Sequence, residues 1–318
     1  MTRGVFLDRA SVDTGDLDFS RLHATLEQWA WYDSTSPMEV STHIADAKVV
    51  ITNKVALSAD VLKAAHSLKL ICVAATGTNN IDLLTARACG IGVCNVRSYA
   101  TPSVVQHVFS LMLALSTRLL DYHNTVRLGH WHKSSQFCLL DYPIVELAGK
   151  TLGIVGYGEL GRAVAHVAEA FGMRVIVARG ALTQNDQSRV SLDELLQVSD
   201  VISLHCPLTA ETRGLIGAKE LARMRSNAIL INTARGGIVD ELALANALRE
   251  GQIGGAGMDV LSSEPPDASQ PLLQPGIPNL IVTPHCAWAS QASRQRLLNE
   301  IAENIEVFFA GNERNRVG

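Results

Sequence analysis

Residues 151–161 read Thr151-Leu152-Gly153-Ile154-Val155-Gly156-Tyr157-Gly158-Glu159-Leu160-Gly161, and this stretch decides the fold. A short apolar run enters Gly156-x-Gly158-x-x-Gly161, and a helical pattern leaves it. In that setting each glycine has its own task. Gly156 permits a tight turn, Gly158 lets the backbone approach a pyrophosphate, and Gly161 lets helix and strand pack closely. The turn, with Tyr157, Glu159 and Leu160, is the expected dinucleotide site. The next apolar strand, 174–178, should end in an acid that grips a ribose diol. It ends in Arg179, a cation suited to a 2′-phosphate. The expected cofactor is therefore NADP, with NAD possible.

Reading outward toward the C-terminus, apolar runs predict strands at 151–155, 174–178, 200–204, 228–232, 256–260 and 280–283. Helical patterns near 160–171, 192–197, 218–224 and 240–250 alternate with them, and Gly251 closes the last. Toward the N-terminus, strands at 4–7, 48–52, 70–74 and 91–95 alternate with helices such as 59–67 and 83–88, without a phosphate-binding glycine pattern. Alternation of this kind builds parallel sheets with helices on both faces. The expected class is α/β, with two doubly wound parallel-sheet domains. One is a Rossmann cofactor domain at 99–286. The other is a smaller, discontinuous, flavodoxin-like substrate domain at 1–98 plus 287–318. Between the two sets, Thr101-Pro102 opens one long apolar helix over 101–121, and the stretch from Asp121 to Lys150 reads as irregular. A final amphipathic helix over 289–309 starts at Ser290 and is expected to return to the first domain.

The chain has 318 residues, 47% hydrophobic and 18% charged, which suits two buried cores rather than disorder. A net charge of −4 argues against a nucleic-acid surface. The apolar stretch 108–115 is far too short to span a membrane, and the N-terminus turns polar too soon for a signal peptide. The cysteines at 72, 89, 94, 138, 206 and 286 form no CxxC pair and read as reduced thiols of a cytoplasmic protein. His130-Trp131-His132 has no carboxylate or cysteine at ligand spacing, so no metal is expected.

Three charged residues follow successive strand ends in the second half. Ile229 to Asn232 leads to Arg235, Gly257 to Val260 leads to Glu264, and Ile281 to Thr283 leads to His285. In a doubly wound fold such positions converge on the crevice at the carboxyl ends of the strands. Hydride addition to a ketone leaves an alkoxide that needs a proton, which a histidine can deliver. A carboxylate on its other nitrogen fixes the tautomer and favours imidazolium. An arginine can hold a carboxylate bidentately and polarise the adjacent carbonyl.

The chain resembles the D-isomer-specific 2-hydroxyacid dehydrogenases over essentially its whole length. The matching pieces are Ala75-Thr76-Gly77-Thr78-Asn79-Asn80-Ile81-Asp82, the turn 156–161, and His205-Cys206-Pro207-Leu208-Thr209-Ala210-Glu211-Thr212. They continue with 232–240, 257–266 and Thr283-Pro284-His285. Asn53-Lys54-Val55 and Thr283-Pro284-His285-Cys286-Ala287-Trp288-Ala289-Ser290 look most like the glycerate dehydrogenases, also called hydroxypyruvate reductases. The resemblance implies that Arg235, Glu264 and His285 are the catalytic set. It implies that Thr76 and Gly77 receive the substrate carboxylate through their amides, with Arg235 facing them from the other domain, and that Trp288 lies near the substrate. Tyr99 matches an aromatic near the substrate, and hinge packing explains it equally well. Asp259 matches the aspartate near the nicotinamide carboxamide, and Cys206, Pro207, Thr233 and Ala234 line the cofactor. Family members are usually homodimers through the cofactor domain. Two departures stand out: Arg179 replaces the usual acid, and Gln106 stands where glutamate is common before His107, itself read as structural.

The expected activity is reduction of a small 2-ketoacid, hydroxypyruvate or glyoxylate, to the D-2-hydroxyacid. A short phosphoglycerate dehydrogenase is the alternative. A dinucleotide-sensing co-repressor of the same fold is a further one, argued against by the lack of long polar tails. Formate dehydrogenases carry glutamine where this chain has Glu264.

Overall fold

A computed structural model describes residues 2–180 and 183–317. The chain divides into two compact units, Met1–Ala100 with Trp288–Gly318, and Thr101–Ala287.

The first unit holds β1 (Arg3–Phe6), β2 (Gln28–Trp31), β3 (Val49–Thr52), β4 (Leu70–Val73) and β5 (Gly92–Cys94) in the order β2-β1-β3-β4-β5, all parallel. Val49-Val50-Ile51-Thr52 and Leu70-Ile71-Cys72-Val73 are buried at every position, as strands covered on both faces must be. The edge strand β2 has no counterpart among the sequence-based expectations. It is short and half-buried, and its Gln-Trp-Ala-Trp run lacks the apolar density that reveals its neighbours. The helix Gln291–Phe309 starts at Ser290, whose side chain accepts from Ser293 N. Its Leu297, Leu298, Ile301 and Ile305 share a core with Phe6, Ile51, Leu70 and Cys72.

The second unit holds β6 (Thr151–Val155), β7 (Arg174–Val177), β8 (Val201–Leu204), β9 (Ile229–Asn232), β10 (Gly255–Met258) and β11 (Leu280–Val282). They form one parallel sheet in the order β11-β10-β9-β8-β6-β7. Strand order changes direction at β6, with β7 on one side and β8 on the other, so its carboxyl end lies at the switch point where such sheets bind ligands. Both units are thus doubly wound parallel sheets.

The helix expected over 101–121 is broken. Thr101–Ser116 ends, Arg118 takes a left-handed conformation at φ 54°, and Leu119–Arg127 continues at a bend of 60°. Arg118 Nε donates to Asp121 Oδ2 at 2.6 Å, which holds the start of the second helix. The first seven residues of the stretch read as irregular are therefore helical. Among the described residues, no single helix is long and apolar enough to cross a membrane.

Candidate active site

The glycine turn leaves β6 at Gly156, with φ 97°. A Cβ there would meet Cys206 N at 2.5 Å, so the turn lies directly against the peptide following β8. A Cβ on Gly161 would run into Gly156 O, which closes the turn onto the helix Glu159–Ala170. Gly158 caps that helix, and a Cβ on it would meet nothing within 4 Å. The helix N-terminus offers first-turn amides and the positive end of its dipole to an anion. A bare backbone with open space at Gly158 fits a pyrophosphate. Glu159 accepts a hydrogen bond from the Thr101 hydroxyl.

Arg235, Glu264 and His285 follow β9, β10 and β11, neighbouring strands of one sheet. The Asn232 side chain, fully buried at the end of β9, accepts from Ala234 N at 3.0 Å and donates to Arg235 O at 3.0 Å. Arg235 is thereby presented from a pinned turn. Its Nη1 donates to Ala234 O at 2.7 Å, and among the described residues no carboxylate pairs with it. His285 Nδ1 lies 2.6 Å from Glu264 Oε2, while Glu264 Oε1 accepts from Leu261 N at 2.9 Å. His285 adopts φ 52°, a conformation rare outside glycine and frequent at functional sites. A cavity of about 450 Å³ opens beside the pair, lined by Leu261, Pro265, Pro266, Leu273 and Val282 among others.

Asp259, at the end of β10, is 1% exposed. Its Oδ1 accepts from Thr283 Oγ1 at 2.6 Å and Cys286 N at 2.9 Å, and its Oδ2 accepts from Ala287 N at 3.0 Å. His107 Nε2 reaches Thr283 Oγ1 at 2.9 Å. The aspartate expected beside the cofactor therefore braces the turn that carries His285, a task its sequence position did not announce. Donor atoms of His107, Asp259 and Cys286 lie within 4.8 Å of one another. Burial, and then Asp259, push the Cys286 thiol above its ordinary range, so it packs as a thiol.

Cys206 is buried, which raises its thiol too, and Pro207 follows it toward the Thr209 turn. His205 is lowered to about 4 by burial and is neutral at ordinary pH. Its Nδ1 and the hydroxyl of Thr233 are buried without a hydrogen-bond partner among the described residues. The two residues follow the ends of the paired strands β8 and β9, where Leu204 lies opposite Asn232.

Arg179 stands just past β7, exposed, with Nε donating to Arg189 O at 2.8 Å and Asp186 O at 3.2 Å. These bonds fix the stem of the side chain. A second cation, which sequence reasoning missed, lies close by: Arg189 pairs with Asp186 at 3.0 Å and sits 5.7 Å over the Tyr157 ring.

In the first unit, Thr76 and Gly77 follow β4. Thr76 Oγ1 donates to Val96 O at 2.8 Å, and Thr76 O accepts from Asn95 Nδ2 at 2.7 Å. Their own N–H groups find no acceptor among the described residues. Tyr99 is 8% exposed and packs edge-on against Trp288 within the core of that unit.

The profile of the D-isomer specific 2-hydroxyacid dehydrogenase NAD binding domain matches residues 109–287. The chain belongs to the D-isomer-specific 2-hydroxyacid dehydrogenases. It is 49% identical to a glycerate dehydrogenase of Methylorubrum extorquens over 98% of each chain. It is 39% identical to a hydroxypyruvate reductase of Blautia hydrogenotrophica, again over 98% of each. An NADPH-dependent glyoxylate/hydroxypyruvate reductase from Sinorhizobium meliloti, solved with NADP and malonate, superposes with a TM-score of 0.82 at 25% identity, covering 100% of this chain and 97% of that one. This dehydrogenase is an oxidoreductase acting on a CH–OH group, it reduces 2-ketoacids to D-2-hydroxyacids, and its cofactor is a nicotinamide dinucleotide.

Proposed function

We propose that this dehydrogenase reduces hydroxypyruvate or glyoxylate to the D-2-hydroxyacid, with NADPH preferred over NADH. The observation that carries the reading is the 2.6 Å pairing of His285 Nδ1 with Glu264. Bound nicotinamide supplies the hydride. His285 gives a proton to the substrate oxygen from its other ring nitrogen, and Glu264 holds the tautomer that permits this. Arg235, free of any described acid, grips the substrate's charge with a planar fork. Thr76 and Gly77 offer amides to its carboxylate. Asp259 keeps His285 in place, and the turn 156–161 takes the pyrophosphate, with Cys206, Pro207, Thr233 and Ala234 along the cofactor. The names of the relatives favour an unphosphorylated substrate over the phosphoglycerate alternative.

Leu119, Leu128, Trp131, Phe137, Leu140 and Ile144 are exposed apolar side chains concentrated in one arm of the second unit. Such a patch is covered in solution, and the proposed cover is a second copy through the same unit, giving a homodimer. Unpaired cysteines suit the cytoplasm.

The test is kcat/KM for hydroxypyruvate, glyoxylate and 3-phosphohydroxypyruvate with each cofactor, in wild type and Arg179→Asp. A charge-assisted contact to a 2′-phosphate at an exposed rim should favour NADPH about 10- to 100-fold. Arg179→Asp should move the preference toward NADH. A wild type that favours NADH, or a variant whose preference stays fixed, makes Arg179 a surface residue. Faster turnover of the phosphorylated substrate overturns the substrate reading.

A further inference from the structure

Glu241 opens the helix Glu241–Arg249, directly after its N-cap Asp240. An acid at a helix's first position ordinarily faces water and complements the dipole. Glu241 is instead only 7% exposed. Its Oε1 accepts from Ser262 N at 2.6 Å. Its Oε2 accepts from Ser262 Oγ at 2.6 Å and from Gln270 Nε2 at 2.9 Å. Burying a carboxyl group is costly unless donors satisfy it, and here three do.

What the carboxyl group grips is the loop between β10 and Glu264. Leu261 N donates to Glu264 Oε1, and the next amide, Ser262 N, donates to Glu241. Leu261 O occupies the space a Cβ on Gly236 would need, so the residue after Arg235 packs against the same peptide. The peptide between Leu261 and Ser262 is thus held by the backbone beside Arg235 and by Glu241, and the amide of the peptide just before it, Leu261 N, is held by the Glu264 side chain. Glu264's other oxygen holds His285.

We propose that Glu241 is a positioning residue for the acid–base pair: by fixing the peptide between Leu261 and Ser262, it keeps Glu264 on His285 Nδ1 and in register with Arg235. The inference rests on the proposed role of that pair. Glu241→Gln preserves volume but turns an amide NH2 toward donors that need an acceptor.

The test combines kinetics on hydroxypyruvate with the downfield imidazole N–H proton resonance of His285, assigned by its loss in His285→Gln. Displacing a reacting group by about 1 Å can cost on the order of 100-fold, so kcat in Glu241→Gln should fall roughly 10- to 100-fold. Cofactor affinity, read by fluorescence quenching, should stay within about twofold, because the glycine turn is untouched. The His285 resonance should broaden or vanish. In a Glu264→Gln background, adding Glu241→Gln should cost less than about threefold more, since both act through one bond. An unchanged kcat and resonance, or fully additive losses, overturn the proposal. Should Glu241→Gln fail to fold, Ser262→Ala removes only the hydroxyl contact; a fall of kcat by roughly threefold with a weakened resonance is expected. No change in either overturns the proposal. The resonance needs no substrate: a wild type that reduces no ketoacid but still shows the dependence would refute the functional reading and leave the positioning role standing.

Discussion

Two neighbouring strand ends in the first unit treat their backbone amides in opposite ways. After β3, the N–H groups of Asn53, Lys54 and Val55 all point at the Asp8 carboxylate, with shortest distances of 2.9, 2.6 and 3.3 Å. Asp8 is 5% exposed. After β4, the N–H groups of Thr76 and Gly77 point at no described acceptor. Successive amides in a turn form an anion-binding concavity. The chain fills the first concavity with an acid of its own and leaves the second open, which supports the proposed capture of a substrate carboxylate there. In the proposed function, anion recognition in this unit falls to backbone, whereas in the second unit it falls to a side chain, Arg235.

That assignment breaks most sharply at Arg235. Arg235→Lys keeps the charge but loses the fork, and kcat/KM on hydroxypyruvate should drop by about 2–4 kcal/mol in transition-state stabilisation. Near wild-type turnover would show that recognition does not rest on this side chain. Asp8→Ala is expected to rank second. It leaves three amides of the closed turn without their acceptor, and urea unfolding should register a loss of roughly 1–3 kcal/mol. Sulfate added to the variant should restore part of that loss by entering the emptied turn, with no comparable effect on wild type. A variant indifferent to sulfate would mean that the turn is not a concavity for anions. The smallest effect belongs to Thr76→Ala. Its hydroxyl is committed to Val96 O and its amide survives the change. Stability should fall by about 1 kcal/mol and kcat/KM should stay within about threefold. A loss rivalling that of Arg235→Lys would put recognition in the hydroxyl.

The sequence was most legible where one local rule acts alone. Buried parallel strands read as unbroken apolar runs, and the turn at 156–161 needs glycine for reasons visible in its spacing. Arg235, Glu264 and His285 could be named because each follows a strand end in a sheet whose order brings those ends together. What stayed hidden depends on partners far along the chain. The bracing task of Asp259 depends on residues 283–287, a pairing no spacing rule connects. Glu241 had no signal in the sequence, because Ser262 and Gln270, which enclose it, stand 21 and 29 residues further along. The break at Arg118 escaped because helix-compatible sequence continues on both sides and no glycine or proline marks the bend. The edge strand β2 escaped because two tryptophans, not a periodic pattern, anchor it.

Gly236 has a consequence for anyone who would redesign this enzyme. Since its bare α-carbon abuts Leu261 O, no other residue fits without pushing two loops apart. The segment that presents the guanidinium and the segment that presents the carboxylate are therefore inherited as a single part. Transplanting either into a related scaffold, or drifting either by mutation, requires carrying its counterpart along.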